Sequence, residues 1–392
     1  MITYIIAISI TVFLAYFVKE DKMNIYGGIG LHKFCKLKMN KQGETVLKVL
    51  CVLPLFLVSA LRYGIGTDYF HTYYDGFRRV NEGNNYDGFE FGFKILNILL
   101  GKISSDPQIV FVVTSALFCF FTFYAIYNLS PDILLSVVLL IISRNYFISM
   151  NIVRQFVAMA IILYSLKYLF AEKYFEYLCF IVLASSFHYS AIICLSFIVF
   201  EKIKISDKKI YAGIGMILII ALSINILDIN KIFGYLFKFT KYAKHFLNLH
   251  LYTSRQFAIF TFLYNFVLLI VFCIPIKKNR QNKAYKFYLL MQVCATVLCI
   301  FMPLIPLIER IYFYFQFVQI ISIPIVLKLI NNRATRGILK YIILFFLLSY
   351  CIFDIFIRRD HEVVPYISIF SRSVRIWNYY LLLSQFIILN IQ

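Results

Sequence analysis

Apolar blocks of near-membrane length dominate the polarity pattern of this chain. Residues 2–18, 108–128, 210–227, 257–274 and 338–357 each approach the roughly 20-residue helix that crosses a bilayer. Further apolar runs at 45–61, 151–170, 285–303, 311–330 and 376–391 alternate with short polar stretches. The pattern predicts an all-α, polytopic integral membrane helical bundle of about 11–13 membrane segments. It forms one transmembrane domain over 1–392, with no stretch left over for a soluble domain. Two segments are too short or too broken to span simply. Residues 131–143 make about 20 Å of helix at about 1.5 Å per residue, against a hydrocarbon core of about 30 Å. Residues 177–201 read as a re-entrant hairpin that turns at Phe187-His188-Tyr189-Ser190. Such pieces persist only where protein buries them or water lines them, so they predict a wet pocket open to the outer face. Residues 89–103 and 229–256 read as amphipathic helices lying in the membrane surface. Residues 1–18 lack a charged leader and a small-x-small site, and read as a retained first span.

Composition supports the membrane reading. The chain is 61% hydrophobic and only 15% charged, against roughly 25% charged in a soluble domain. Its mean hydropathy is +0.80. The nine cysteines show no CxxC or Cys/His spacing and read as buried thiols.

The net charge of +20 changes the picture once it is sorted by side. Residues 19–48 carry seven lysines and no arginine, which places the 19–44 loop in the cytoplasm. Alternation then puts 202–209, 277–284 and 331–338 inside, and the loops 62–106, 229–256 and 358–375 outside. On this topology 19 of 25 lysines fall inside, while 11 of 14 arginines fall outside. Lysine satisfies the positive-inside rule, so external arginine answers another need. Guanidinium forks bind phosphate and carboxylate bidentately and stay charged when partly desolvated. Arg154 and Arg310 each stand near the start of an apolar helix, where lipid exposure is costly. The pattern predicts an outward-facing anion site, most simply for a lipid diphosphate.

Five stretches carry candidate chemistry. Arg62-Tyr63-Gly64-Ile65-Gly66-Thr67-Asp68-Tyr69 predicts a tight turn across which Arg62 and Asp68 could meet. Asn151, Arg154 and Gln155 fall within one helical turn. His188 sits in Ser185-Ser186-Phe187-His188-Tyr189-Ser190, where an ionisable group at a helix break is a functional candidate. Glu309-Arg310-Ile311-Tyr312 follows Pro303 and Pro306. Asp360-His361-Glu362-Val363-Val364-Pro365-Tyr366-Ile367-Ser368 closes the series.

In order and spacing these stretches resemble the EpsG-type family of polysaccharide polymerases, which are Wzy-like. The resemblance rests on Arg62 with Gly66-Thr67-Asp68-Tyr69, then Arg154-Gln155, Phe187-His188-Tyr189-Ser190, Arg310 and Pro365-Tyr366, across about residues 45–375. It implies a bacterial cytoplasmic-membrane enzyme that joins undecaprenyl-diphosphate-linked oligosaccharide repeats on the outer face, producing O-antigen, capsule or exopolysaccharide. A flippase and a chain-length regulator of the same pathway would be its partners, and no nucleic acid is expected.

Such a transfer needs a base for the acceptor hydroxyl and stabilisation of the departing diphosphate. With no DxD or metal-ligand cluster in an external loop, arginine is expected to replace a metal, and no cofactor is expected. Arg154 and Arg310 are assigned to the diphosphate, with Arg62 and Arg358 as weaker contacts. Either His188 or Asp68 is the base. Gln155, Tyr69 and Tyr366 are assigned to the sugar. A flippase or exporter of lipid-linked oligosaccharides is a rival, as is a membrane acyltransferase using His188. The flippase should show internal repeats, and none is evident.

Overall fold

The computed structural model describes residues 1–18, 40–83, 88–203, 212–213, 215–216, 255–279, 281–302, 305 and 307–371. Most of the expected 19–44 loop and 210–227 span lies outside the described residues. So do nearly all of 229–256, the last span at 376–391, Arg372 and Arg375.

Among the described residues the chain forms fifteen α-helices and no strand. They are α1 (Ile2–Phe17), α2 (Lys41–Ala60), α3 (Asp75–Asn81), α4 (Phe91–Gly101) and α5 (Gln108–Leu129). Next come α6 (Ile133–Ile142), α7 (Asn145–Ser149), α8 (Val153–Phe170), α9 (Tyr174–Phe187) and α10 (Ser196–Lys202). The series ends with α11 (Arg255–Cys273), α12 (Lys283–Phe301), α13 (Ile308–Phe317), α14 (Gln319–Leu329) and α15 (Arg333–Cys351). By length and composition α2, α5, α8, α12 and the stretch Arg333–Ile357 can each cross a membrane. The pair α13–α14, bent by 44°, makes a sixth candidate span. Shorter apolar helices fill in around them. The chain is a polytopic helical membrane protein.

Helix α8 is the centre of the bundle, with 72% of its apolar window buried, whereas the window of α15 is 28% buried and turns most of its surface outward. The expected short segment at 131–143 is α6. It spans only ten residues because Ser143 ends it and Arg144 takes a left-handed conformation at φ 69°. Eight of its ten residues are buried, and the Ser136 hydroxyl donates to the Ile320 carbonyl of α14 at 2.7 Å. Protein therefore shields the short helix, as a membrane interior requires.

The 177–201 stretch is a hairpin. α9 stops at His188, whose backbone is extended, and the chain returns through a 3-10 turn (Tyr189–Leu195) into α10. The Tyr174 hydroxyl at one foot donates to Glu201 at the other, 3.0 Å away, and the Tyr177 hydroxyl donates to the Cys194 carbonyl at 3.0 Å. Both feet thus stand at the same end of the bundle, beside Lys283.

The two ends of the bundle differ in chemistry. At one, side chains of Asn40, Asp132, Asn282 and Asn332 cap the starts of α2, α6, α12 and α15, which leaves fewer orphan N–H groups. Lys48, Lys167, Lys202, Lys283 and Lys340 cluster around these starts. At the other end stand Arg62, Arg144, Arg154, Arg310 and Arg358. The expected surface helix at 89–103 is α4, which lies at this arginine end. It turns Phe93, Asn97 and Leu100 inward and exposes Phe91, Ile95, Ile98 and Leu99.

Candidate functional site

Glu90, which no sequence motif singled out, organises the arginine end. It precedes the first residue of α4, and its two carboxylate oxygens are divided between two partners. One pairs with the Arg154 guanidinium at the start of α8. The other lies 2.9 Å from His188 Nδ1 at the break between α9 and the 3-10 turn. A carboxylate only accepts, so His188 carries a proton on Nδ1, and in the neutral ring the lone pair is on Nε2. Burial pushes the Glu90 carboxyl up, but the His188 hydrogen bond and the Arg154 charge outweigh it and hold the group below its ordinary value. Arg154 also donates to the Gly88 carbonyl at 2.9 Å and stacks over Phe89 and Phe93, 5.4 and 5.9 Å from the ring centroids. Its Nε is buried without a hydrogen-bond partner among the described residues.

Close packing holds α4, and so Glu90, in place. A Cβ added to Gly92 would stand 2.2 Å from Ser186 Oγ of α9, and one added to Gly101 would stand 1.9 Å from Asn81 Oδ1 of α3. A side chain at Gly92 would have to displace Ser186, and one at Gly101 the Asn81 amide.

Gln155 ties this group to α13. Its Nε2 donates to the Arg310 carbonyl at 2.5 Å, which sets the starts of α8 and α13 side by side. Arg154 and Arg310 therefore share one end of the bundle, and the Arg310 side chain is exposed. Gln155 itself is fully buried, and its Oε1 has no hydrogen-bond partner among the described residues. A stranded buried acceptor costs about 1–3 kcal/mol.

The glycine loop forms the next part of the rim. Gly66 adopts φ 95°, and a Cβ there would meet the Met150 carbonyl at 3.0 Å. The loop is latched onto Asn151, whose Oδ1 accepts from the Thr67 hydroxyl at 3.1 Å and the Asp68 N–H at 3.0 Å. On its other side the loop meets the 360–369 segment. Gly66 N–H donates to the Glu362 carbonyl, Tyr63 N–H to Ile367, and Ile369 N–H to Leu61. Asp68 is half-buried, and its charge is felt by both Tyr73 and His361. Asn151 lies in the turn before α8 rather than on the helix, because Ile152 breaks the helical conformation. The expected single helical turn of Asn151, Arg154 and Gln155 is thus a turn followed by a helix start.

Several expected contacts lie beneath this rim. Arg62 does not meet Asp68. It is 1% exposed and turns back into the bundle, where its guanidinium donates to the Ser59 carbonyl and to the hydroxyls of Ser59 and Ser115, over the Phe111 ring. The carbonyls at the end of α2 attract a cation more cheaply than an exposed turn would. Tyr69 is 1% exposed, stacks on Phe111 at 4.1 Å, and donates to Gln108 Oε1 at 2.7 Å. Tyr366 donates to the Val58 carbonyl at 3.1 Å and packs edge-on against Tyr4. Arg358 is half-exposed and pairs with Asp354 at 3.1 Å. Asp354 is fully buried and also binds Arg144, which stacks on Tyr350 at 4.1 Å.

A shallow cavity of about 390 Å³, lined by Asn40, Gln42, Gly43, Val46, Leu47 and Leu50, lies at the lysine end, away from this site.

Fold and rim together define a multi-pass helical membrane protein with a carboxylate-bridged histidine and arginine at one end. Family comparison then identifies it: residues 45–368 match the EpsG family model, and the chain belongs to the EpsG family, whose members are Wzy-type polysaccharide-polymerase-like proteins. No curated protein and no solved structure matches the chain.

Proposed function

We propose that this protein joins polyprenyl-diphosphate-linked oligosaccharide repeats into polysaccharide, acting from the outer face of the bacterial cytoplasmic membrane. Family membership supports polymerase-like glycosyl transfer in general. The arginine end supports the lipid-diphosphate substrate, and the lysine-rich opposite end supports the orientation. The observation that carries the proposal is the division of Glu90 between Arg154 and His188.

In this reading His188 is the base. Glu90 holds the Nδ1–H tautomer, so Nε2 takes the proton of the acceptor hydroxyl. The hydroxyl oxygen attacks the anomeric carbon of the donor sugar. The bond from that carbon to the phosphate oxygen breaks, and its electron pair leaves with the diphosphate. Arg154 and the exposed Arg310 stabilise the growing negative charge, with Arg358 at the margin. Arg62, Tyr69 and Tyr366 support the rim from below rather than contact substrate. Gln155 positions Arg310 through its backbone carbonyl. Asp68 is left for a role other than the base.

A surface-polysaccharide gel of a strain lacking the gene tests the activity. The reading predicts loss of the long ladder with retention of a one-repeat band and of lipid-linked repeats on the outer leaflet. Repeats trapped on the inner leaflet would instead mark a flippase, and a full-length ladder lacking an acyl group would mark an acyltransferase.

A further inference from the structure

His361 belongs to none of the roles above, yet its hydrogen bonding is fully determined. Asn151 Oδ1 accepts from the Asp68 backbone N–H and from the Thr67 hydroxyl. That fixes which end of the Asn151 amide is oxygen, so the group facing His361 is the NH2. Asn151 Nδ2 lies 2.8 Å from His361 Nδ1, and an NH2 only donates. Nδ1 is therefore the acceptor, and the neutral imidazole carries its proton on Nε2. This is the reverse of the tautomer at His188. Protonating His361 would set two donors against each other, and burial also lowers its pKa.

Among the described residues the Nε2–H has no hydrogen-bond acceptor. The Asp360 carboxylate is 3.7 Å away, beyond hydrogen-bonding distance. The His361 side chain stays 19% exposed and that of Asp360 36%. Asp68 lies near enough to act on His361 electrostatically, as do Asp354 and Arg144. Arg144 is neutralised by Asp354, however. This half of the rim thus offers one neutral N–H donor beside two half-exposed carboxylates, with the exposed Arg359 next to Asp360 in the chain. Sugar hydroxyls need acceptors and donors side by side, and this group supplies both. Asn151 stands three residues before Arg154, so the acidic half adjoins the arginine half.

We propose that His361 binds the glycan portion of the substrate, its Nε2–H donating to a sugar oxygen while Asp68 and Asp360 accept from neighbouring hydroxyls. The inference rests on the polymerase reading and adds to it a division of the rim: arginine for the diphosphate, the Asn151–His361–Asp68 group for the sugar. Asn151 is the positioning residue that sets the His361 tautomer.

The test uses the full-length protein in proteoliposomes. Its substrate is the lipid-linked repeat extracted from the deletion strain, and its competitor is sugar-free polyprenyl diphosphate. His361→Asn keeps an oxygen that can accept from Asn151 and tolerates the left-handed backbone at φ 60°, but it removes the Nε2 donor. The expected result is a KM for the lipid-linked repeat raised about tenfold, as for one lost hydrogen bond, with inhibition by polyprenyl diphosphate and the thermal midpoint unchanged. Asn151→Asp keeps the Thr67 and Asp68 acceptor but forces a proton onto His361 Nδ1. It should raise KM similarly, and the double variant should be little worse than either single one. An unmoved KM in both single variants overturns the inference. So does a KM that rises only in step with weaker inhibition by polyprenyl diphosphate. His188→Gln in the same assay separates the two readings. If that variant still polymerises, the polymerase site itself is misassigned; if it is inactive while His361→Asn behaves as wild type, only the glycan assignment falls.

Discussion

The two ends of the bundle both gather cations and differ in how deeply they hold them. Lysines at one end rest on tyrosine faces or pair with acids nearer the surface, Lys48 with Glu44, Lys283 with Glu172 and Lys340 with Asp132. Lys167 Nζ lies 4.6, 4.0 and 4.8 Å from the ring centroids of Tyr124, Tyr164 and Tyr168, Lys202 lies 4.1 Å from Tyr174, and Lys48 lies 5.7 Å from Tyr127. These are interfacial anchors, with an apolar stem along the helix and a hydrated head. Arginines at the other end are drawn into the protein and set against carboxylates: Arg154 on Glu90, and Arg144 and Arg358 on Asp354. A guanidinium keeps its charge and its fork of donors when desolvated, which an ammonium does less well. Charge at the lysine end anchors the helices; charge at the arginine end is drawn into buried ion pairs.

The largest effect that would break this contrast belongs to the base. His188→Gln should reduce polymerisation about 10²–10⁴-fold with membrane protein levels unchanged, while Lys167→Gln should leave the rate within about twofold. Comparable losses in both variants would erase the distinction between the ends.

Next comes the buried Arg144–Asp354 pair. Asp354→Asn leaves Arg144 without its carboxylate in a buried site, and such breaks cost about 3–5 kcal/mol. A sharp fall in thermal midpoint and in membrane yield is expected. Breaking the exposed Lys283–Glu172 pair at the other end should change the midpoint little.

Gly92→Ala forces α4 away from Ser186 and carries Glu90 with it. Polymerisation should fall about tenfold, a rise of order 1.4 kcal/mol in the barrier, and Ser186→Gly should restore part of the rate. No change in rate would show that the place of α4 does not set the site.

A smaller effect is the pH dependence of stability. Glu90 is held below the ordinary value of 4.5 in the folded protein, so the unfolded chain takes up its proton first as the pH falls. The stabilisation is complete above that ordinary value and drains away as pH drops through the folded one. The thermal midpoints of wild type and Glu90→Gln should therefore converge in acid and separate towards neutrality.

Much of this architecture is legible in the residues themselves. Apolar block lengths foretell α2, α5, α8, α12 and α15, and the shortness of 131–143 foretells a helix that protein must bury. The Phe187-His188 break marks the hairpin. The arginine asymmetry marks the end where Glu90 meets Arg154 and His188. What stays hidden is pairing at long range. Glu90 looks like one acid among aromatics at the head of an amphipathic stretch, and its partners lie 64 and 98 residues away. Arg62 stands beside a glycine turn that offers it Asp68 as a partner. The direction of its side chain depends on Ser115, 53 residues away on α5. The role of His361 depends on which way Asn151 points, and only the folded contacts with Thr67 and Asp68 decide that.

The account stands on one arrangement, a carboxylate holding an imidazole in its Nδ1–H form so that Nε2 can take a proton. Chain elongation by purified protein, compared between wild type and Glu90→Gln, tests it most directly. The account predicts that Glu90→Gln lowers the maximal rate at least about tenfold with membrane yield unchanged. A variant with the wild-type rate would contradict it.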